Sequence, residues 1–208
     1  LIGFAGSPWT LFTYMVEGGG SKDFRHAKEL MYRNPELAHR ILGLLATSVA
    51  DHLAGQIEAG ADVVQIFDTW GGLLRPADYE EFSLRYMRDI TERLPGNRGP
   101  VILFSKGVHH SYDALASSGA DVISVDWTVD LTTVREAVGG RTAIQGNLDP
   151  TLLFAPPERI ATETHRMLEC FGNGPGLVAN LGHGILKDTD PDHARVFVDT
   201  VKNHELQE

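Results

Sequence analysis

At 208 residues and 42% apolar side chains the chain can bury a core, and it carries a formal net charge of −10. Lys and Arg are mixed among Asp and Glu, so the concentrated basic face that nucleic acid or an anionic membrane needs is missing, and both are excluded as partners. No apolar run approaches the roughly 20 residues that cross a bilayer, no signal-peptide pattern is present, and the single Cys170 excludes an internal disulfide. These features lead us to expect a soluble, cytoplasmic protein with one domain, residues 1–208.

The chain opens LIGFAGSPWTLFTYMVEGGG. Residues 1–5 form an apolar run without alternation, which predicts a strand buried on both faces and ended by Gly6, Ser7 and Pro8. Residues 9–16 set Trp, Phe, Tyr and Met close together before Glu17 and three glycines, and they read as an aromatic loop walling a pocket. Because Leu1 already lies inside this strand, an N-terminal portion is expected to be missing.

Residues 21–33 have helical spacing, and Asn34 with Pro35 is an N-cap and N1 pair for the next helix. Its apolar positions run from Leu37 through Ile41, Leu44, Leu45 and Leu53 to Ile57, with Gly60 placed to close it. A strand over 62–68 ends in Thr69, Trp70, Gly71 and Gly72. Helix 76–94 leads to strand 101–104, ending in Ser105, Lys106 and Gly107, and short helix 112–118 is closed by Gly119. Strand 122–125 ends in Asp126 and Trp127, and helix 131–138 leads to strand 142–144, ending in Gln145, Gly146 and Asn147. Helix 156–170 then leads to strand 177–180, ending in Gly182, His183 and Gly184, and Asp190 with Pro191 starts the closing helix.

Six buried strands, five of them reached through a helix, imply parallel pairing with right-handed crossovers. An open doubly wound sheet and a (β/α)8 TIM barrel both satisfy that pattern. No strand is followed by GxGxxG or GxxxxGK[ST], and every strand ends in polar or glycine-rich residues, which favours an α/β barrel with its site at the C-terminal rim. The chain would then supply the last six strands and lack the first two βα units. Such a remnant exposes two sheet edges and is expected to aggregate or rearrange unless they are covered.

Tyr14 can donate a hydrogen bond to a carboxylate from its apolar surroundings; a core tyrosine is the alternative. Thr69 can do the same or merely cap a turn, and Asp68 is either a buried acid or a partner for a neighbouring strand. His183, between two glycines at a strand end, is the strongest single candidate, because the glycines expose the imidazole and let a ligand approach the backbone. His109 and His110 read as solvated loop residues. Lys106 could hold a carboxylate or form a Schiff base, or serve in an ion pair. With one Cys and no CxxC, HxC, HExxH or GxSxG, the sequence offers neither a zinc site nor a serine elbow, so no metal and no cofactor are expected.

GFAGSPWTLFTYMVEGGG, QIFDTWGGLL, VDWTV, QGNLDP and NLGHGI, in this order, make the whole chain resemble the uroporphyrinogen decarboxylases. The resemblance implies a (β/α)8 barrel, usually a homodimer. It also implies removal of carbon dioxide from the four acetate side chains of uroporphyrinogen, without metal or organic cofactor, to give coproporphyrinogen. In TYMVEGG the matching tyrosine is Tyr14, in FDTW the Ser/Thr position is Thr69, and in NLGHG the histidine is His183. By the resemblance all three contact the tetrapyrrole, chiefly its carboxylates. The family's RQAGR segment and the aspartate that binds the pyrrole NH groups precede the block at which this chain begins. The family's main catalytic groups are therefore expected upstream of Leu1, and the catalytic residues are not assigned here. Two other readings remain: a tetrapyrrole-binding fragment without turnover, and a relative of the cobalamin-linked methyltransferases, whose zinc-binding HxC is replaced here by Phe104, Ser105 and Lys106.

Overall fold

The computed structural model describes residues 1–96 and 98–204. Among them six strands follow one another in sheet order β1-β2-β3-β4-β5-β6, with helices between successive strands. The β1/β2, β2/β3 and β5/β6 pairs are parallel, as the alternation of strand and helix implies. This is a six-stranded parallel α/β arrangement compatible with a partial (β/α)8 barrel. Two compact units divide the chain, Leu1–Val122 and Ile123–Glu208.

In the first unit β1 (Ile2–Gly6), β2 (Val63–Asp68) and β3 (Val101–Ser105) pair with Gly6 opposite Phe67 and Asp68 opposite Ser105. All five residues of β3 are buried, and so are Val64, Gln65, Ile66 and Asp68 of β2. β1 departs from the expectation of burial on both faces, since Ile2 and Phe4 are 52% and 62% exposed. An apolar run records strand propensity, but burial requires a layer packed over each face: Gln56 of the helix over 35–58 stands where a Cβ on Gly3 would be, whereas Ile2 and Phe4 alternate to the opposite face.

Residues 9–16 are not a loop. They belong to helix α1 (Pro8–Glu17), which Ser7 caps by accepting the Thr10 amide at 3.0 Å, with Pro8 in the first turn. Gly18 closes the helix in the left-handed region at φ 73°, its amide donating to the Tyr14 carbonyl at 2.9 Å. Trp9, Phe12 and Thr13 fall on the buried face, so the crowded aromatics are a helical stripe.

Helix α2 (Arg25–Arg33) starts four residues later than its spacing suggested, after Phe24 at φ 46°. Helix α3 (Pro35–Glu58) begins as expected, with Asn34 accepting the Leu37 amide at 3.1 Å, and Gly60 follows it at φ 103°. The helical run after Pro76 is interrupted: α4 (Pro76–Tyr79) passes through a π-helical turn (Glu80–Leu84) into α5 (Arg85–Arg93). That turn aims Phe82, Ser83 and Leu84 inward. Helix α6 (Tyr112–Ala116) follows β3.

β4 (Val122–Ser124) precedes α7 (Leu131–Val138). β5 (Ala143–Leu148) runs four residues past the expected end, taking Gln145, Gly146 and Asn147 into the strand. Helix α8 (Pro157–Phe171) leads to β6 (Leu177–Leu181), which sets Asn147 opposite Asn180. None of the five β6 residues is buried, so β6, like β1, departs from the expectation of six buried strands. Asp190 caps α9 (Pro191–Lys202) by accepting the Asp192 amide at 2.9 Å.

Candidate functional site

In the first unit the C-terminal end of β2 carries Asp68, which has no solvent exposure. Its Oδ1 accepts hydrogen bonds from the Ser7 hydroxyl at 2.6 Å and the Thr10 hydroxyl at 3.3 Å, and its Oδ2 accepts one from the Ser83 hydroxyl at 2.8 Å. Burial pushes the Asp68 carboxyl above the usual aspartate range, and the hydroxyl donors pull against that rise. Beside it the Tyr79 hydroxyl pairs with the Ser105 hydroxyl at 2.9 Å, and burial with the Asp68 charge lifts the Tyr79 phenol well above its ordinary value. Asp68 takes both of its expected roles: it is a buried acid, and it pairs with the neighbouring strand, opposite Ser105 of β3, whose side chain joins the hydroxyls acting on the carboxyl.

Thr69 and Trp70 continue from Asp68 and line a cavity of about 220 Å³ with Gly72, Leu73, Lys106 and Gly107. The wall is tight at Gly72, where a Cβ would stand 2.4 Å from the Lys106 carbonyl oxygen. Tyr14 reaches this end of the strands from α1. Its ring meets Phe24 edge-on at 6.2 Å and Trp70 edge-on at 6.4 Å, while Phe24 and Trp70 lie 4.8 Å apart. The Trp9 indole donates to the Trp70 carbonyl at 3.2 Å, fixing α1 against the turn after β2. Tyr14 stays 39% exposed, and Thr69 is half-buried. The first unit therefore brings Tyr14 and Thr69 to one aromatic-walled rim.

His183 stands in the second unit, just past β6, exposed and edge-on to the Trp127 ring at 6.4 Å. Gly182 before it donates to the Leu148 carbonyl at 2.7 Å, and a Cβ there would lie 2.5 Å from the Trp127 amide nitrogen. Only glycine lets the two strand ends approach this closely. Asp126 is buried and accepts both the amide (2.8 Å) and the hydroxyl of Thr128. Asn147 donates its side-chain amide to the Asp126 and Val129 carbonyls at 2.9 and 2.7 Å, so the turn bearing Trp127 is held on both sides.

His109 and His110 are exposed in a short 3₁₀ turn rather than an open loop, His109 beside the Tyr112 hydroxyl at 3.4 Å and His110 beside the Ser111 hydroxyl at 2.6 Å. Cys170 lines a larger cleft of about 800 Å³ at the opposite, N-terminal ends of β5 and β6, with Arg135, Thr142 and Gly176. Among the described residues no group of three or more His, Cys, Asp or Glu side chains is placed to hold a metal ion, and no helix is long and apolar enough to cross a membrane. The rim of the first unit offers the hydroxyls of Tyr14 and Thr69 beside Trp70, and the second unit offers the His183 imidazole beside Trp127; each can donate hydrogen bonds to an anionic or carbonyl oxygen.

Residue-type reasoning passed over Ser7, Thr10 and Ser83, which hold Asp68, and Asn147, which holds the Trp127 turn. The Ser7-Pro8 pair was a readable helix start, and Asp126 two residues before Thr128 a readable turn. Nothing in the local sequence announced that Ser7 and Ser83 meet at Asp68.

The family model described as uroporphyrinogen decarboxylase matches residues 1–204, including both rims. The chain belongs to the uroporphyrinogen decarboxylase family. It is 55% identical over 210 aligned positions to the uroporphyrinogen decarboxylase of Chromohalobacter salexigens, an alignment that covers 99% of this chain and 59% of that protein. The uroporphyrinogen decarboxylase of Hahella chejuensis is also 55% identical, with 99% and 58% covered. The chain thus spans about three fifths of the length of these curated uroporphyrinogen decarboxylases. Among solved structures a methyltransferase from Methanosarcina mazei superposes with a TM-score of 0.84 at 21% identity, covering 97% of this chain and 58% of that one, a likeness of fold alone.

Proposed function

We propose that the protein takes part in porphyrin biosynthesis as a uroporphyrinogen decarboxylase. Its substrate is uroporphyrinogen, whose four acetate side chains lose carbon dioxide to give coproporphyrinogen. The observation that carries this reading is 55% identity to uroporphyrinogen decarboxylases across nearly the whole chain. The rim chemistry agrees with it. In the first unit the half-buried Trp70 suits an apolar macrocycle, with Tyr14 and Thr69 as donors for its carboxylates; in the second unit Trp127 stands beside His183, the donor there.

On this reading Tyr14 and Thr69 each donate a hydroxyl hydrogen to substrate carboxylates, and the His183 imidazole donates to another. Their task is orientation, since a carboxyl leaves only when its C–C bond aligns with the ring that receives the electron pair. Residues 1–208 act as one domain of a cytoplasmic homodimer.

The test is anaerobic incubation of the intact protein with uroporphyrinogen, with products separated by their number of carboxyl groups. Progressive loss down to the four-carboxyl product is the expected result, and recovery of unchanged eight-carboxyl substrate overturns the reading. Sedimentation equilibrium on the same sample tests the dimer.

A further inference from the structure

We propose that Asp68 is a positioning residue: its buried carboxylate clamps the N-terminus of α1, and with it Tyr14, to the strand end that carries Thr69. This rests on the reading that Tyr14 and Thr69 hold the substrate. Ser7 Oγ accepts the Thr10 amide at 3.0 Å, which leaves its one hydrogen for Asp68 Oδ1 at 2.6 Å. The hydroxyl that caps α1 is thus also the hydroxyl that ties α1 to β2. Thr10, in the first turn of the helix, adds a second donor to the same oxygen. Ser83, from the π-helical turn, occupies the other oxygen and fixes the carboxylate plane.

Ser7 joins β2 through its backbone as well, donating to the Phe67 carbonyl at 2.8 Å. Asp68, Ser7 and Ser83 are wholly buried, so no solvent competes for these bonds. Thr69 follows Asp68 directly in the chain. Tyr14 lies seven residues along the helix from Ser7, a lever of roughly 10 Å at the α-helical rise, so a small tilt at the cap is magnified at its ring. Three hydroxyls from two separate segments converge on one carboxylate at the junction of the two ligand-contacting residues.

The test uses Asp68→Asn and Ser7→Ala in the intact protein, with Leu53→Ala as a control that opens a cavity under α3 without touching the clamp. For uroporphyrinogen turnover, both clamp variants are expected to raise KM about tenfold with kcat within about twofold, as for the loss of one hydrogen bond to a charged group that orients bound substrate. Leu53→Ala is expected to lower stability and leave KM unchanged. Hydrogen exchange supplies a readout that needs no substrate: amides 10–14 in Ser7→Ala should exchange at least about tenfold faster than in the parent. An unchanged KM in Ser7→Ala, or a KM in Leu53→Ala that rises as much, overturns the positioning role. If the parent shows no turnover, the proposed function fails, and exchange still decides the clamp, which is overturned if the α1 amides keep their protection. Ser7→Ala keeps the test decisive even if Asp68→Asn does not fold.

Discussion

Gly71 lies so close to Asp68 that a Cβ added to it would stand 2.1 Å from the carboxylate Oδ2 and 2.8 Å from the Tyr79 ring. The same oxygen already accepts the Ser83 hydroxyl, so the carboxylate cannot retreat without breaking that bond. Gly71→Ala is therefore expected to destabilise the protein by about 1–3 kcal/mol through overpacking. Urea unfolding followed by circular dichroism checks this; an unchanged midpoint would mean the cluster is looser than its geometry.

Tyr14→Phe separates ring from hydroxyl. The ring contacts with Phe24 and Trp70 survive the change, and the residue is partly exposed, so stability should stay within about 0.5 kcal/mol of the parent. Affinity for a carboxylated tetrapyrrole should fall about tenfold, the loss of one hydrogen bond to a charged acceptor. Quenching of tryptophan fluorescence by added uroporphyrin measures it.

Two aspartates of the first unit should give pH slopes of opposite sign. Burial raises the folded pKa of Asp68 above its ordinary 3.8, so the folded state holds that proton more tightly than the unfolded chain. The Asp68 contribution is then full below 3.8 and lost as pH rises through the folded value. Asp78 behaves oppositely. Arg75 holds it in a two-bond fork at 2.8 Å, Tyr32 donates to it at 2.7 Å, and its folded pKa is lowered. Its contribution is full above 3.8 and lost as pH falls through the depressed folded value. Because the Arg75 side chain is 71% exposed, Asp78→Asn should cost only about 1 kcal/mol near neutrality and nothing at strongly acid pH. Denaturant titrations of Asp68→Asn, Asp78→Asn and the parent from acid to neutral pH would show both slopes.

Gly182 and His183 are neighbours with opposite tolerances. Gly182→Ala places a methyl against the backbone of Asp126 and Trp127, and backbone cannot swing away as a side chain can. Its expected cost is about 1–3 kcal/mol. His183→Gln changes an exposed side chain and should leave thermal stability within about 0.5 kcal/mol while weakening tetrapyrrole binding about tenfold. Calorimetry with uroporphyrin on both variants separates the two effects.

The alternation of strand and helix was legible in the sequence because its signals are local. Asn34 with Pro35 and Asp190 with Pro191 start helices wherever they stand, and DVVQIFD carries its strand preference in its own side chains. The family blocks are contiguous motifs too, so the expectation that Tyr14, Thr69 and His183 contact substrate can be stated from local sequence. Residues 9–16 are helical and not a loop: crowded aromatics suit loop, strand and helix alike, and the Ser7 cap with the buried face it orients decides among them. The exposure of Ile2, Phe4 and Val178 depends on what packs over their face of the sheet, a fact held by the tertiary structure and not by the segment. Asp68 shows the same division most plainly: the sequence determined that an acid ends β2, but hydroxyls 61, 58 and 15 residues away become its partners only when the chain folds. Local conformational preference is written residue by residue, whereas burial and long-range hydrogen bonding belong to pairs that only the tertiary structure brings together.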